Sequence, residues 1–176
     1  MRESGILMHI TSLPTPYGIG TMGKDAYAFV DFLVKAGQRC WQILPLTPTG
    51  YGDSPYQSLG ACAGNHYLID LDTLVDEGLL KKEEIQNISW GSNPARVDFG
   101  AMYAHRMAVL RLAFQRFAPD EAYETFVEQN RSWLEDYALF TALKDTLGGK
   151  PWLDWPEALR LRKADALADK RRELSD

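Results

Sequence analysis

Several features are scarce in this sequence, and each scarcity excludes a class of protein. Its 176 residues contain only two cysteines, Cys40 and Cys62, too few for the disulfide framework of a small secreted domain. Both have apolar neighbours in the sequence, so we expect free, reduced thiols in apolar surroundings. No apolar run reaches the ~20 residues of a membrane-spanning helix, and the start of the chain lacks the form of a signal peptide. We therefore expect a cytoplasmic protein without a membrane partner.

Positive charge is also scarce. Lysine and arginine total 19 against 24 acidic residues, a net charge of −5, which opposes a nucleic-acid partner because such partners need clustered basic residues. The three histidines, His9, His66 and His105, lack ligand spacing to cysteines or carboxylates, so we expect no metal site. The G-x-S-x-G, H-E-x-x-H and Walker patterns are missing, and no cofactor is predicted.

The first 71 residues carry an α/β pattern. Apolar runs over 5–10 and 40–46 predict buried strands, and helical spacing over 24–36 predicts a helix between them. Such strands are expected to be parallel, with a right-handed crossover and a sheet covered on both faces. A third strand is predicted over 67–71.

The remaining hundred or so residues are predicted to be mostly helical. The apolar stripe from Tyr103 to Phe117 predicts a helix with that stripe in the core. Asp120 favours the start of the next helix, and Ser132-x-x-Glu135 predicts a capping box that opens a further helix ended by Gly148-Gly149. Three strands cannot close a barrel. Either helices cover both sheet edges, or the chain is the front part of something larger, which we favour.

One motif suggests a nucleotide. Gly18-x-Gly20-x-x-Gly23 opens a helix after a strand, as in dinucleotide-binding folds. Seven residues separate it from Ile10, however, and the second strand lacks the acidic end that would bind a ribose. A nucleotide-binding βαβ domain is therefore an alternative that these departures oppose.

The segment between residues 46 and 67 is the strongest functional signal. A loop of about twenty residues inside a compact domain is uncommon unless it is functional or disordered. Here tyrosines alternate with short hydroxyl, amide and carboxylate side chains, a composition that suits a sugar with its apolar faces and many hydroxyls. The competing interpretation is a turn-rich connection, since Asp53-Ser54-Pro55 is itself turn chemistry.

The segments HITSLPTPYGIG, WQILPLTPTGYGDSPYQS, AGNHYLIDL, YALFTALKD and GGKPWLDWPEAL resemble the 4-α-glucanotransferases of glycoside hydrolase family 77, also called amylomaltases or disproportionating enzymes. The resemblance runs in order through nearly the whole chain. It implies the N-terminal part of a (β/α)₈ TIM barrel with a mostly helical inserted subdomain. Residues 1–80 would supply the first barrel elements and the glucan-binding loop, and residues 81–176 the helical segment.

The resemblance also implies an activity: transfer of α-1,4-glucan segments between maltooligosaccharides by a retaining mechanism with two carboxylates. The family's catalytic acids lie in later parts of its longer chains, so no catalytic residue is expected here. Asp53, Asp70 and Asp72 give no reason to expect a retaining pair ~5 Å apart. The residues that match the family's glucan-contacting or loop positions are Tyr56, Ser54, Asp53, Gln57, Tyr51 and Tyr103.

Two further expectations depend on this interpretation. The same loop would equally serve a non-catalytic glucan-binding module, which stays open as an alternative. A truncated barrel would expose strand edges and apolar helix faces, which predicts self-association.

Overall fold

A pair of parallel strands connected by a helix begins the fold. The computed structural model describes residues 3–50 and 52–175. Strand β1 spans Gly5–Leu7, helix α1 spans Lys24–Lys35 and strand β2 spans Cys40–Gln42. The strands are parallel, with Ile6 opposite Trp41, which confirms the predicted β-loop-α-β unit. Both strands are shorter than predicted.

The sheet is not covered on both faces in the described part of the chain, contrary to expectation. Trp41 packs against Phe29 of α1 with ring centroids 4.8 Å apart, and its indole nitrogen donates to the Met8 carbonyl at 2.7 Å. Ile6 and Leu7 of β1 are nevertheless exposed. The described part of the chain therefore leaves some apolar side chains of these strands exposed to solvent.

The predicted third strand is wrong. A short 3₁₀ helix covers His66–Leu68 and helix α2 covers Leu71–Asp76. The side chain of Asn65 accepts from the Tyr67 amide at 2.9 Å, and that of Asp70 accepts from the Thr73 amide at 2.8 Å. These caps satisfy amide groups locally and so favour helical turns over an extended strand.

Helix α3, Phe99–Arg116, confirms the predicted helix but buries a different face. Asp98 caps it by accepting from the Ala101 amide at 3.0 Å. The predicted core stripe is wrong except at Leu110, which packs partly buried against the core, whereas Tyr103, Met107, Phe114 and Phe117 are exposed. The buried face instead contains Met102, Arg106, Val109 and Ala113, and Met102 packs with Leu71 and Ile85 at the centre of the core.

Helices α4, α5 and α6 span Glu121–Thr146, Glu157–Arg160 and Ala164–Glu173. Asp120 caps α4, accepting from the Tyr123 amide at 2.8 Å, as the sequence predicted. The predicted helix start at Ser132 is wrong, because α4 runs through it without a break. Gly148 and Gly149 follow with φ of +68° and +73°, which confirms the predicted glycine stop. A second core joins these helices: Leu139, Leu143, Trp155, Leu159 and Leu167.

The chain divides into two compact units, Met1–Ala118 and Pro119–Asp176. The first contains β1, β2 and α1 to α3, and the second contains α4 to α6. The predicted division into 1–80 and 81–176 separates residues expected to form the barrel from residues expected to form the helical segment. It does not concern compact units, and it stays a prediction.

The environment predicted for the cysteines is wrong. Cys40 and Cys62 are both free, but both are exposed. The Cys40 sulfur lies 3.7 Å from a carboxylate oxygen of Glu3, which is not an apolar neighbour. The β2 register directs Cys40 away from the surface that Trp41 shares with α1, since successive strand residues face opposite sides.

Candidate functional site

The candidate site is built on an ordered turn after β2. Thr49 and Ser58 form an antiparallel bridge that closes the turn at its base. Above it, the Gly50 amide donates to the Gln57 carbonyl at 3.1 Å, and the Gln57 amide donates to the Ser54 carbonyl at 3.0 Å. These bonds fix the backbone of the glucan-loop candidate, residues 49–58, which we call the tyrosine loop.

The tip of the tyrosine loop adopts a left-handed backbone. Gly52 and Asp53 have φ of +93° and +57°, values that glycine accepts freely and aspartate tolerates better than most residues. The Asp53 amide donates to the Gly50 carbonyl at 3.1 Å, and the Tyr56 amide donates to the Ser54 hydroxyl at 3.3 Å. The turn chemistry predicted for this stretch is therefore present, and it serves to present side chains.

Tyr56 presents its ring outward. It is 73% exposed, although a tyrosine in a loop can bury most of its large apolar area. Gln57 beside it is exposed, while Ser54 is half-buried. An exposed ring on a fixed backbone, flanked by an amide and a hydroxyl, provides both the stacking surface and the polar groups that a sugar needs.

Tyr103 joins the tyrosine loop to α3. Its hydroxyl donates to the Asp53 carboxylate, fifty residues earlier in the chain. Burial of the phenol, together with this bond and the negative charge of Asp53, raises the pKa of Tyr103 well above its ordinary range. Tyr103 as a whole stays 51% exposed. Two predicted site residues are thus brought together by a contact that the sequence did not show.

The ring of Tyr67 packs against the ring of Tyr103. The two rings meet edge to face with centroids 6.0 Å apart, and Tyr67 is buried. Burial raises the pKa of Tyr67; the charge of Asp53 adds to the increase and that of Arg106 opposes it. Asn65 accepts from the Tyr67 amide, so it fixes the loop backbone. Tyr51, a further predicted site residue, lies outside the described residues.

Arg106 is the residue that sequence reasoning missed. It lies in the core with 0% of its surface exposed. One of its terminal nitrogens, Nη2, donates to the Tyr67 carbonyl at 3.2 Å and also to the Ile69 carbonyl. The available signal was the spacing of Met102, Arg106, Val109 and Ala113, which places an arginine on an otherwise apolar helical face.

Comparison with known proteins decides the family. A family model described as 4-alpha-glucanotransferase matches residues 8–176. The chain belongs to the 4-alpha-glucanotransferase family. A 4-alpha-glucanotransferase of Streptococcus pneumoniae serotype 4 is 48% identical over 179 residues, covering 99% of this chain and 35% of the relative. One from Thermus thermophilus is also 48% identical, over 181 residues, with the same coverage of 99% and 35%.

A solved structure gives the same result in three dimensions. Amylomaltase from Streptococcus agalactiae in complex with acarbose superposes with a TM-score of 0.93 at 47% identity, covering 99% of this chain and 36% of that one. The chain therefore has the fold of part of an amylomaltase. It spans about a third of the length of the 4-alpha-glucanotransferases that it matches.

Within this member of the 4-alpha-glucanotransferase family, the glycine motif has a packing role. Gly23 precedes α1, and a Cβ built there would lie 2.2 Å from the Asp70 carboxylate carbon. Thr21 donates to that carboxylate at 2.5 Å. The Asp70 carboxylate therefore lies next to the start of α1, where the pyrophosphate of a dinucleotide would bind. This arrangement opposes the nucleotide alternative.

The three acids near the predicted strand ends have separate partners. Asp53 accepts from Tyr103, and Asp70 accepts from Thr21 and Thr73. Asp72 accepts from the Tyr17 hydroxyl and from the Lys82 ammonium, each at 2.6 Å. These hydrogen bonds give each carboxylate a structural role, and the arrangement does not pair two acids across one pocket.

The described residues lack both a cluster of metal-ligating side chains and a membrane-spanning helix. There, no three or more His, Cys, Asp or Glu side chains are grouped so as to hold a metal ion. Over the same residues, no helix combines the length and apolarity needed to cross a membrane.

Proposed function

We propose that this chain supplies one wall of the glucan site of a 4-α-glucanotransferase, whose catalytic carboxylates lie on polypeptide outside these 176 residues. The reaction would transfer an α-1,4-glucan segment from one maltooligosaccharide to the 4-hydroxyl of another. The observation that carries the proposal is the exposed ring of Tyr56 on the hydrogen-bonded tyrosine loop.

The proposed chemistry is a double displacement with retention at the anomeric carbon. One carboxylate attacks C1 to form a covalent glycosyl-enzyme while an acid/base carboxylate protonates the departing glycosidic oxygen. The acceptor's 4-hydroxyl then loses its proton to the acid/base group and attacks C1, which releases the nucleophile. In this scheme the present chain binds and orients the donor glucan; it does not supply either carboxylate.

The site residues are proposed to divide this work. Tyr56 stacks on the apolar face of a glucose ring, and Ser54 and Gln57 offer hydrogen bonds to sugar hydroxyls. Asp53 and Tyr103 hold the loop through their hydrogen bond, while the half-exposed ring of Tyr103 supports glucan away from the reacting bond. Tyr51 is proposed for the same supporting role.

The fold is proposed to be the first part of a (β/α)₈ barrel followed by a mostly helical inserted subdomain. The parallel pairing of β1 with β2 and the crossover through α1 support this assignment. So does the helical content from α2 onward. A cytoplasmic location, expected from the sequence, stays a prediction.

Calorimetric titration with maltooligosaccharides tests the binding role. We expect weak binding by the chain and about five-fold weaker binding by Tyr56→Ala, since one stacked ring contributes ~1 kcal/mol. Tyr27→Ala is the matched control, because Tyr27 on α1 is 75% exposed but lies outside the tyrosine loop. Equal loss in both variants, or in neither, would contradict the proposal.

Glucose release from maltotriose tests the catalytic part of the proposal and distinguishes it from the alternative of a non-catalytic glucan-binding module. The 176-residue chain alone is expected to release none, whereas a full-length form carrying the same segment should release glucose. Release by the chain alone would show that it contains its own catalytic acids. A full-length form that binds maltooligosaccharide but transfers nothing would favour the binding-module alternative.

A further inference from the structure

A contribution to stability does not explain why an arginine occupies position 106. It is the largest side chain in the core with no exposed surface, and its Nε and Nη1 have no hydrogen-bond partner among the described residues. Burial lowers the pKa of Arg106 to about 10, yet the group stays charged near neutral pH. Its helical neighbours Met102 and Val109 are apolar, and an apolar side chain of similar size is often as stable or more stable at such a site.

The guanidinium makes contacts that an apolar side chain could not replace. Its Nη2 donates to two backbone carbonyls, that of Tyr67 within the 3₁₀ helix and that of Ile69 directly after it, before α2 begins. Its central carbon lies 5.7 Å from the centroid of the Trp90 ring, a cation–π distance. Arg106 therefore fixes the position and orientation of the backbone that carries Tyr67.

A short series of contacts leads from that backbone to the tyrosine loop. The Tyr67 ring supports the Tyr103 ring edge to face at 6.0 Å, and the Tyr103 hydroxyl holds Asp53. Tyr103 and Arg106 are three residues apart on α3, so they lie on neighbouring positions of one helix surface. Helix α3 thus contacts both ends of the series.

We infer that Arg106 is a positioning residue for the tyrosine loop. It holds the carbonyls of Tyr67 and Ile69 so that Tyr67 supports Tyr103, and Tyr103 keeps Asp53 and the loop in the glucan-binding arrangement. The link to glucan rests on the proposed function; the link to the loop does not.

Amide hydrogen exchange measures the loop directly. In Arg106→Gln we expect the amides of Gly50, Asp53 and Gln57 to exchange about ten-fold faster, while the amides of α1 stay unchanged, because opening is local. Val109→Ala is the stability control, since Val109 lies on the same buried face. Arg111→Gln is the charge control, since Arg111 on the same helix is exposed. Neither control should change loop exchange.

Further variants keep the inference testable if Arg106→Gln does not fold. Tyr103→Phe removes the hydrogen bond to Asp53 without changing a core residue. It should speed amide exchange in the tyrosine loop as Arg106→Gln does. Arg106→Lys keeps a charged donor and should give an intermediate rate. In the Tyr103→Phe background, Arg106→Lys should add no further increase, because both act through one series of contacts.

The outcomes separate this inference from the proposed function. Unchanged loop exchange in Arg106→Gln, or the same increase in Val109→Ala, would overturn the positioning role whatever happens to glucan binding. Faster loop exchange supports it, even if the unsubstituted chain fails to bind maltooligosaccharide and the proposed function fails. Where binding is measurable, Arg106→Gln should weaken it by about the same factor as Tyr103→Phe.

Discussion

The Glu84 carboxylate joins its own short 3₁₀ helix to helix α3. It accepts from both terminal nitrogens of Arg116, at 2.6 and 2.7 Å, and from the Lys81 amide at 2.8 Å. Arg116 also donates to the Leu79 carbonyl at 3.1 Å. The paired bonds of Arg116 and the amide bond of Lys81 favour the ionised carboxylate. They lower the pKa of Glu84 to about 2 from an ordinary value of 4.5.

This shift predicts a specific dependence of stability on pH. Because the folded-state pKa of Glu84 is lowered, its contribution is fully present above the unfolded-state pKa near 4.5 and is lost as pH falls toward about 2. Glu84→Gln lacks that contribution, so its urea midpoint should fall less steeply than that of the unsubstituted chain below about pH 5.

Glu83→Gln provides the control for this measurement. Glu83 lies in the same short 3₁₀ helix, Lys82–Glu84, and makes no ion pair in the described structure. Its pH profile should follow that of the unsubstituted chain. Parallel profiles for Glu84→Gln and the unsubstituted chain would contradict the assignment.

At the scale of elements, capping side chains decide where helices begin. Asp70, Asp98 and Asp120 each accept from a backbone amide three residues ahead, at 2.8, 3.0 and 2.8 Å. The capping box predicted at Ser132 does not form, because the helix begun at Asp120 already supplies its amides with carbonyl partners. A capping pattern therefore marks a helix start only where the preceding backbone is not already helical.

Substitution at the two positions tests this reasoning. Asp120→Ala should lower the free energy of unfolding by ~1 kcal/mol, because an N-cap is lost. Ser132→Ala should leave it unchanged or raise it by a few tenths of a kcal/mol, since alanine favours a helix interior. Urea unfolding followed by far-UV circular dichroism measures both, and equal destabilisation would show that Ser132 does act as a helix start.

At the scale of the whole molecule, exposed apolar side chains around the sheet are the main feature. Leu7 of β1 and Val34 of α1 are 62% and 69% exposed, and β1 and β2 form a two-stranded sheet in the described residues. Such a sheet has edges whose amide and carbonyl groups can pair with another chain. We propose that these surfaces make the isolated chain self-associate.

Sedimentation velocity tests this proposal. We expect the 176-residue chain to sediment above its monomer mass of 19.9 kDa, increasingly so at higher concentration. Leu7→Lys and Val34→Lys should shift it toward the monomer, because a charge at an apolar contact opposes association. Leu153→Lys is the control, since Leu153 is 65% exposed but belongs to the second unit. A monomer at all concentrations would contradict self-association.

Much of the fold was predictable because it depends on local patterns. Helical spacing placed α1 and α3, aspartate placed the start of α4, and the Gly148-Gly149 pair placed its end. The tyrosine loop was recognisable as a candidate site from its composition, and the motifs around it identified the family. What these patterns share is that neighbours in sequence decide them.

The tertiary structure decided what depends on distant neighbours. Helix α3 carries two apolar faces, and only packing on Leu71 and Ile85 determined that Met102 and Arg106, not the stripe from Tyr103, are buried. The pairing of Tyr103 with Asp53 crosses fifty residues. Sequence by itself thus determined which residues could form the site, through local spacing and composition. Burial and long-range hydrogen bonds determined which of them meet, because both depend on groups that only folding brings together.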